Sequence, residues 1–440
     1  MPSITVGGMR SFQGMGLITP NGWENPVSGG LLPLQFPAVL RAFAPPCGSL
    51  LPAGVLESDR SPVVRWAPRM GSENEGPEIV QIGPTTVEWR GRELLYFGGS
   101  DYFRLSWNRG IRGVIRRAVD TLGPNVAASR TTTGNHPLYA GLERDLARMF
   151  RFPSAVLTSS GYLAPLVAVQ GLSGLVGHVY LARMAHGCLR DAADLLGVAR
   201  TEFDSVDDLR RQLARSRKSA PPLVMTNGLS PLDGSLAPVS ELLALLPGEG
   251  WLLVDDAHGV GTLGRKGRGV LEVQGVRDPR VLLTGTLSKA FGCYGGFVLG
   301  STTFRDRVVE QGRCFQGNTP PPLPWVAGAR AALRLLQERG EGWRRTLATR
   351  IQKVRAVFPE SDTRRHAIGP TFILVPQDPR ATRRIGRRLQ AAGIYPSWIR
   401  YSQGPADRFF RFAVSSAHTA EEVSRLGEVV EECLPWCRVE

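Results

Sequence analysis

The feature that most constrains this chain is a rhythm in its middle. Six short apolar runs, Ala155–Thr158, Val179–Ala182, Leu223–Thr226, Trp251–Val254, Val281–Thr284 and Gly296–Leu299, alternate with segments of helical spacing. Strands that are apolar on both faces must be covered on both faces, and helices between them do the covering. The expected fold is therefore α/β, with a mainly parallel sheet. Upstream, "EIVQIGPTTVEWRGRELLYFGG" alternates and turns at Arg90-Gly91, as a hairpin should. "GIRGVIRRAVDTLG" and "LYAGLERDLARMF" read as amphipathic helices, the second with Leu138, Leu142, Leu146 and Met149 on one face. Beyond Pro324 the rhythm changes: a helix over Trp325 to Gln337, then "TFILVPQ", "FFRFAVSS" and a last helix over Ala420 to Leu434. The expected organisation is a poorly ordered Gly/Pro-rich extension over 1–75, a hairpin and helix segment over 76–125, a large domain over 126–324 and a smaller α+β domain over 325–440.

Composition narrows the function classes. The net charge is +14, and only Lys218, Lys266, Lys289 and Lys353 are lysines among 53 basic residues. The arginines are spread along the chain rather than gathered into one footprint, so they read as solvated helix faces and not as a nucleic-acid surface. Cysteines 47, 188, 293, 314, 433 and 437 form no CxxC pair and have no histidine at zinc spacing. No metal and a reducing, cytoplasmic setting are expected. The long apolar stretch Leu163 to Leu181 is broken by Gly171, Gly174, Gly177 and His178, so it reads as helix, turn and strand rather than a membrane span. The start of the chain has no charged segment followed by an apolar run, so a secretory signal is not expected.

The chemistry concentrates at strand ends. "GWLLVDDAHGVGTLGRKGRG" is a buried strand ending in Asp255, Asp256 and His258, and ligands in α/β sheets bind at the carboxyl ends of strands. Its Gly259, Gly261 and Gly264 match GxGxxG, but no helix opens directly after them, which argues against a dinucleotide site. The next strand, "VLLTGT", leads into Leu287-Ser288-Lys289. A lysine there is costly unless it is paired, neutral or covalently used. Desolvation lowers its pKa and makes it a good Schiff-base former. An acid, a histidine and a lysine on neighbouring strand ends suit pyridoxal phosphate: the lysine holds the aldehyde, the acid keeps the pyridine nitrogen protonated, and the histidine bonds the phenolic oxygen. "VLTSSGYLAPLVAVQ" adds a small-residue turn into a helix N-terminus, a ready phosphate site.

Together, "LLVDDAHGVGTLGRKGRGV", "TGTLSKAFGCYGG", "SSGYLAPL", "SDYFRLS" and "GNHPLYAGLERDLA" resemble the α-oxoamine synthase family, in the family's order from about residue 78 to 436. The resemblance implies a fold-type I pyridoxal phosphate enzyme: a large domain with a mainly parallel seven-stranded sheet, over 126–324 here, and a smaller α+β C-terminal domain. It implies condensation of an amino acid with an acyl thioester, acyl-CoA or acyl carrier protein, and loss of carbon dioxide to leave an α-aminoketone. Lys289 would carry the cofactor and move the Cα proton. Asp255 would pair with the pyridine nitrogen, His258 would meet the phenolic oxygen, and His186 would stand near the reacting centre. Ser160, Gly161, Tyr162 and Thr286 would lie at the phosphate. Arg411 would hold the amino-acid carboxylate, and a planar guanidinium suits that task. Asn318 and Thr319 would reach the neighbouring subunit's phosphate in a homodimer with shared sites.

The chain departs from that pattern at four positions. Tyr139 stands where the family places a histidine over the cofactor ring. Ser100 replaces an asparagine that helps bind the substrate carboxylate, and Asn227 and Pro231 replace an acid and a serine. Two alternatives stay open at this point: another pyridoxal phosphate reaction, such as transamination or retro-aldol cleavage, and a non-catalytic binding or regulatory protein on a degenerate scaffold. His136, His178, His366, His418, Trp325 and Trp398 carry no role beyond packing.

Overall fold

The computed structural model describes residues 77–215, 220–359, 361–401 and 404–438. The extension expected over 1–75, with Cys47, and the residue Lys218 lie outside the described residues. A hairpin of three strands opens the described chain: β1 (Val80–Gln81), β2 (Thr86–Trp89) and β3 (Arg92–Leu95). Arg90 and Gly91 turn it, both with positive φ. The hairpin docks on the C-terminal part of the chain, where Val87 and Leu94 pack with Tyr395 and the Tyr395 amide donates to Leu95 O at 2.9 Å.

The central sheet has seven strands: β4 (Ser154–Thr158), β5 (His178–Ala182), β6 (Arg200–Phe203), β7 (Pro222–Asn227), β8 (Trp251–Asp255), β9 (Val281–Thr286) and β10 (Gly296–Gly300). Their spatial order is β4-β10-β9-β8-β7-β5-β6, and only β10 runs antiparallel to its neighbours. All six apolar runs are strands, and β4, β9 and β10 are buried along their whole length. β6, "RTEF", was not expected. It is a sheet edge, mostly open to water, and its Glu202 pairs with Arg183 and Arg190. Apolar patterning gives no signal for such a strand.

The expected helix over Trp325 to Gln337 is longer, Leu323–Arg355. The charged stretch after Gln337 resembles a helix end, but Arg344, Leu347, Ile351 and Val354 continue the buried face at helical spacing. Arg344 is buried because its guanidinium donates to Gly261 O and Arg265 O, at 3.3 and 2.8 Å. This helix joins the large sheet to the small antiparallel one, order β11-β13-β12, made of β11 (Thr371–Leu374), β12 (Trp398–Arg400) and β13 (Arg408–Ala413). β12 is another short edge strand without a sequence signal. Among the described residues no helix is long and apolar enough to cross a membrane.

The sheet topology brings the carboxyl ends of β5, β7, β8 and β9 to one edge, and the loop from Lys289 to Gly295 lies against that edge. Gly292 lets the loop lean on the short turn Leu105–Trp107: its φ is 60°, and a Cβ there would meet Ser106 N at 2.3 Å and Leu105 C at 2.6 Å. Backbone cannot retreat as a flexible side chain would. Gly292→Ala is therefore expected to cost about 1–3 kcal/mol and to lower the melting temperature. An unchanged melting curve would show that the loop does not depend on this contact.

Candidate active site

Strand β8 ends in two acids with opposite fates. Asp255 turns into the cleft. One of its oxygens accepts from Thr284 Oγ1 at 3.2 Å and from the Ala257 amide at 3.3 Å, and the other from the Cys188 thiol at 3.4 Å. Asp256 points the other way, fully buried, and accepts from the Val270 amide at 2.8 Å. Burial pushes its pKa well above the ordinary carboxylate value. Of the adjacent pair, Asp255 is the one that faces the cleft.

Lys289 reaches this cleft from the loop after β9, and its Nζ lies 2.8 Å from His258 Nε2. The surrounding protein strips water from the ammonium and pulls its pKa down to about 8, against the opposing pull of Asp255. His258 is buried between this amine and Tyr102, whose hydroxyl lies 2.5 Å from His258 Nδ1. Burial and the Lys289 and Arg411 charges push the His258 pKa well down, so the imidazole is neutral. Arg411, on β13, is aimed by its Nε–H donating to Pro231 O at 2.8 Å. The carbonyl of one departing residue thus orients the arginine.

His186 caps the helix Gly187–Leu196, its Nδ1 accepting from the Cys188 amide at 3.2 Å. Its ring stands 5.9 Å from both Tyr162 and Tyr401, edge-on to the first. Asn227, another departure, clamps this segment: it accepts from the His186 amide at 3.1 Å and donates to Met184 O at 2.9 Å. Burial lowers the His186 pKa and raises that of Cys188. His186, Cys188 and Asp255 also hold donor atoms within 4.8 Å of one another, the one such metal-type grouping among the described residues. The Cys188 sulfur stands between the other two, 3.0 Å from His186 Nδ1 and 3.4 Å from the Asp255 carboxylate.

A second group gathers beside the first. The turn Ser159-Ser160-Gly161 packs so close to β9 that a Cβ on Gly161 would lie 2.6 Å from Thr286 Cβ. Ser160 Oγ accepts from the Leu163 amide at 3.3 Å, opening the helix Leu163–Gly171. Thr286 Oγ1 bonds Ser288 Oγ at 2.8 Å and Gly295 O at 3.1 Å. Tyr162 bridges the two groups, with its hydroxyl on Asp191 and its ring against His186.

Tyr139 does not face the cleft. It is fully buried, its hydroxyl donates to Pro321 O at 2.9 Å, and the Arg130 guanidinium lies 5.1 Å over its ring. A phenol so engaged is a packing residue, and His186 is the imidazole that stands at the cleft. Asn318 donates to Ser159 Oγ at 2.7 Å within its own chain, and Thr319 beside it is exposed. Ser100 is half-buried, two residues before the buried Tyr102. Tyr102, Cys188 and Tyr401 were not singled out in the sequence. "SDYFRLS" held the signal for the first, since a tyrosine within that motif had no other duty assigned.

These residues fit pyridoxal phosphate. The amine is desolvated and partly neutral near pH 8, the acid is held by three donors, and the glycine turn leaves room where a side chain would close it. Without the cofactor, a buried lysine penalises folding in a way pH can read. Stability is full above the ordinary lysine value of 10.5, falls as pH drops, and reaches its floor below about 8. Lys289→Met removes that penalty. Stripped of cofactor, the variant should melt above the stripped wild type at pH 7, with the gap closing toward pH 10. A gap independent of pH would contradict the buried amine.

Comparisons with known proteins place this geometry. The sequence profile of the aminotransferase class I and II family matches residues 111–430. The 8-amino-7-oxononanoate synthase of Methylococcus capsulatus is 34% identical over 362 residues, 80% of this chain and 92% of that protein. That of Thioalkalivibrio sulfidiphilus is 33% identical over 350 residues, 78% of this chain and 89% of its own. Among solved structures, a Sphingomonas wittichii serine palmitoyltransferase superposes with a TM-score of 0.73 at 25% identity, over 80% of this chain and 90% of its own. An 8-amino-7-oxononanoate synthase from Francisella tularensis gives a TM-score of 0.66 at 21% identity, over 78% and 98%, a likeness of fold alone. This chain therefore belongs to the α-oxoamine synthase family of pyridoxal-phosphate-dependent enzymes built on the class I and II aminotransferase fold.

Proposed function

We propose that this protein is a pyridoxal-phosphate-dependent acyltransferase that joins an amino acid to an acyl thioester, with loss of carbon dioxide, to give an α-aminoketone. The observation that carries the reading is the desolvated Lys289 amine, 2.8 Å from His258 and close to Asp255, in a chain whose curated relatives are 8-amino-7-oxononanoate synthases. When bound, pyridoxal phosphate supplies an electron sink for the substrate Cα.

The chain's own residues do the rest. Asp255, fixed by Thr284, Ala257 and Cys188, would face the ring nitrogen, and His258 Nε2 would meet the phenolic oxygen. Ser160, Gly161 and Tyr162, at the opening of a helix, would receive the phosphate with Thr286 behind them. His186, with Tyr162 and Tyr401 at its edges, would cover the ring and keep water from the reacting face. Lys289 Nζ, with a pKa of about 8, would take the Cα proton and return it, because a base works best when its pKa lies near the working pH. Arg411 would hold the substrate carboxylate. A cavity of about 340 Å³, lined by Tyr96, Gly98, Gly99, Ser397 and Arg400, has this arginine in its wall.

The acyl group would arrive on coenzyme A or an acyl carrier protein, and a net charge of +14 favours either anionic donor. A homodimer is part of the proposal. Exposed Tyr294 and Trp325 offer apolar surface, and Thr319, beside the Ser159 turn, would be the residue offered to a partner's site. A cytoplasmic setting agrees with the five free cysteines among the described residues. No feature favours transamination or retro-aldol cleavage, and a degenerate scaffold would not need the Lys289–His258–Asp255 group. Incubated with single amino acids and acyl thioesters, the loaded enzyme should release free thiol and carbon dioxide in equal amounts. Arg411→Ala should raise KM for the amino acid roughly 10- to 100-fold, the worth of hydrogen bonds to a charge. Release of a keto acid without thioester consumption would overturn the reading.

A further inference from the structure

The segment after β7 forms a small hairpin whose tip is held by two arginines. Leu229 pairs with Leu236, and the Ser230 amide donates to Ser235 O at 2.9 Å, which leaves Pro231, Leu232, Asp233 and Gly234 as the tip. Its carbonyls are taken one by one: Pro231 O accepts from Arg411 Nε at 2.8 Å, Asp233 O from Arg355 Nη2 at 2.8 Å, and Gly234 O from the Gly369 amide at 2.9 Å. Arg355 is the last residue of the helix Leu323–Arg355 and is 3% exposed. The same Nη2 also donates to Gly369 O at 2.9 Å and to Thr371 O at 2.6 Å, and Nη1 donates to Arg364 O. All four bonds go to backbone. A guanidinium stripped of water is costly, and an apolar side chain would fill the same space without that cost. What the arginine adds is a planar group that holds carbonyls from separate segments at once. Gly234 is shaped for that approach: its φ is 75°, and a Cβ there would lie 2.6 Å from Arg355 Nη2 and 2.9 Å from Gly369 Cα.

These bonds close a frame around Arg411. Thr371 opens β11, and Ile373 on the same strand stands opposite Arg411 on β13. Arg355 thus ties the tip to the strand that pairs with the strand of Arg411, and the tip in turn offers Pro231 O to Arg411 Nε. Proline fixes its own φ, which leaves this carbonyl fewer ways to turn within the tip. A bond at Nε sets the plane of a guanidinium, and so the direction in which its terminal nitrogens face a carboxylate. We propose that Arg355 is a positioning residue for the amino-acid substrate: it fixes the tip, residues 231–234, against the small sheet, so that Pro231 O aims Arg411. The inference rests on reading Arg411 as the carboxylate holder. Pro231, a departure from the family pattern, needs only its carbonyl for this part.

The test separates binding of the amino acid from everything else the enzyme does. The loaded enzyme is titrated with each of the common amino acids, the change in its visible band gives a Kd, and the tightest binder serves as the probe. Arg355→Lys keeps the charge but has one nitrogen where the guanidinium uses two. It should weaken binding about 3- to 10-fold, the net worth of one hydrogen bond, with the bound cofactor and the KM for thioester unchanged. In an Arg411→Ala background the same substitution should change nothing, because the group it aims is gone. Should Arg355→Lys not fold, Asp233→Ala loosens the tip from its half-buried side, where Asp233 Oδ1 accepts from the Ser235 amide at 3.1 Å and from its hydroxyl at 2.9 Å. Asp233→Ala should then weaken binding, and Asp233→Asn, which keeps the acceptor, should restore it. An unchanged Kd in Arg355→Lys, or in Asp233→Ala where that variant stands in, overturns the proposal. So does a loss of equal size with and without Arg411, which marks a general loosening of the fold. An Arg411→Ala enzyme that binds the probe as the wild type does, or a wild type that no amino acid perturbs, refutes the carboxylate reading itself, and the proposal falls with it.

Discussion

Holding a lysine amine at the carboxyl edge of a buried sheet is the constraint on which the rest of this site depends. The strand before it, β9, is buried along its whole length, so Lys289 emerges into protein rather than water. A charged amine there would be costly. The chain lowers the cost in two ways. It leaves the amine with a pKa of about 8, and it surrounds the charge that remains with Asp255 on one side and the neutral His258 on the other. Arginine, which this chain uses almost everywhere else, could accept neither arrangement, because it does not lose its proton.

That constraint propagates outward through the parallel sheet. Asp255 can face the lysine because β8 and β9 run side by side in one direction, with Asp255 opposite Thr284. The residue next to it must then point into the core, which is why the second acid of the pair is sealed from water. Across β10, Gly296 stands opposite both Thr158 and Thr286, so the turn after β4 and the loop after β9 lie side by side. Arg411 arrives from the other sheet, held by Pro231. One lysine, three strand ends and a residue from the small sheet thus form a single cleft.

The parts legible in the sequence were those that burial writes into it. Strands such as "VLLTG" are apolar on both faces and could be little else in a chain of this length. The acid, histidine and lysine at their ends followed from the same logic. What the sequence did not reveal has physical causes. β6 and β12 are edge strands held by pairing and by ions, and they carry no apolar period. The helix Leu323–Arg355 hides its second half because an anchored arginine, Arg344, serves as a core residue. Tyr139 occupies the expected place in its motif, but position along a helix does not say which way a side chain looks, and Arg130 and Pro321 hold it in the core. Tyr102 lay inside a recognised motif, yet its partner is 156 residues away, a contact no local pattern records.

The central claim is that Lys289 is kept because its amine bonds covalently to the cofactor. The most direct measurement is to mix the protein with pyridoxal phosphate, reduce with borohydride, digest, and locate the pyridoxyl group by mass spectrometry. The account predicts one stoichiometric adduct, on the Lys289 peptide, with Lys218, Lys266 and Lys353 unmodified. An adduct spread over the other lysines, or none at all, would contradict it.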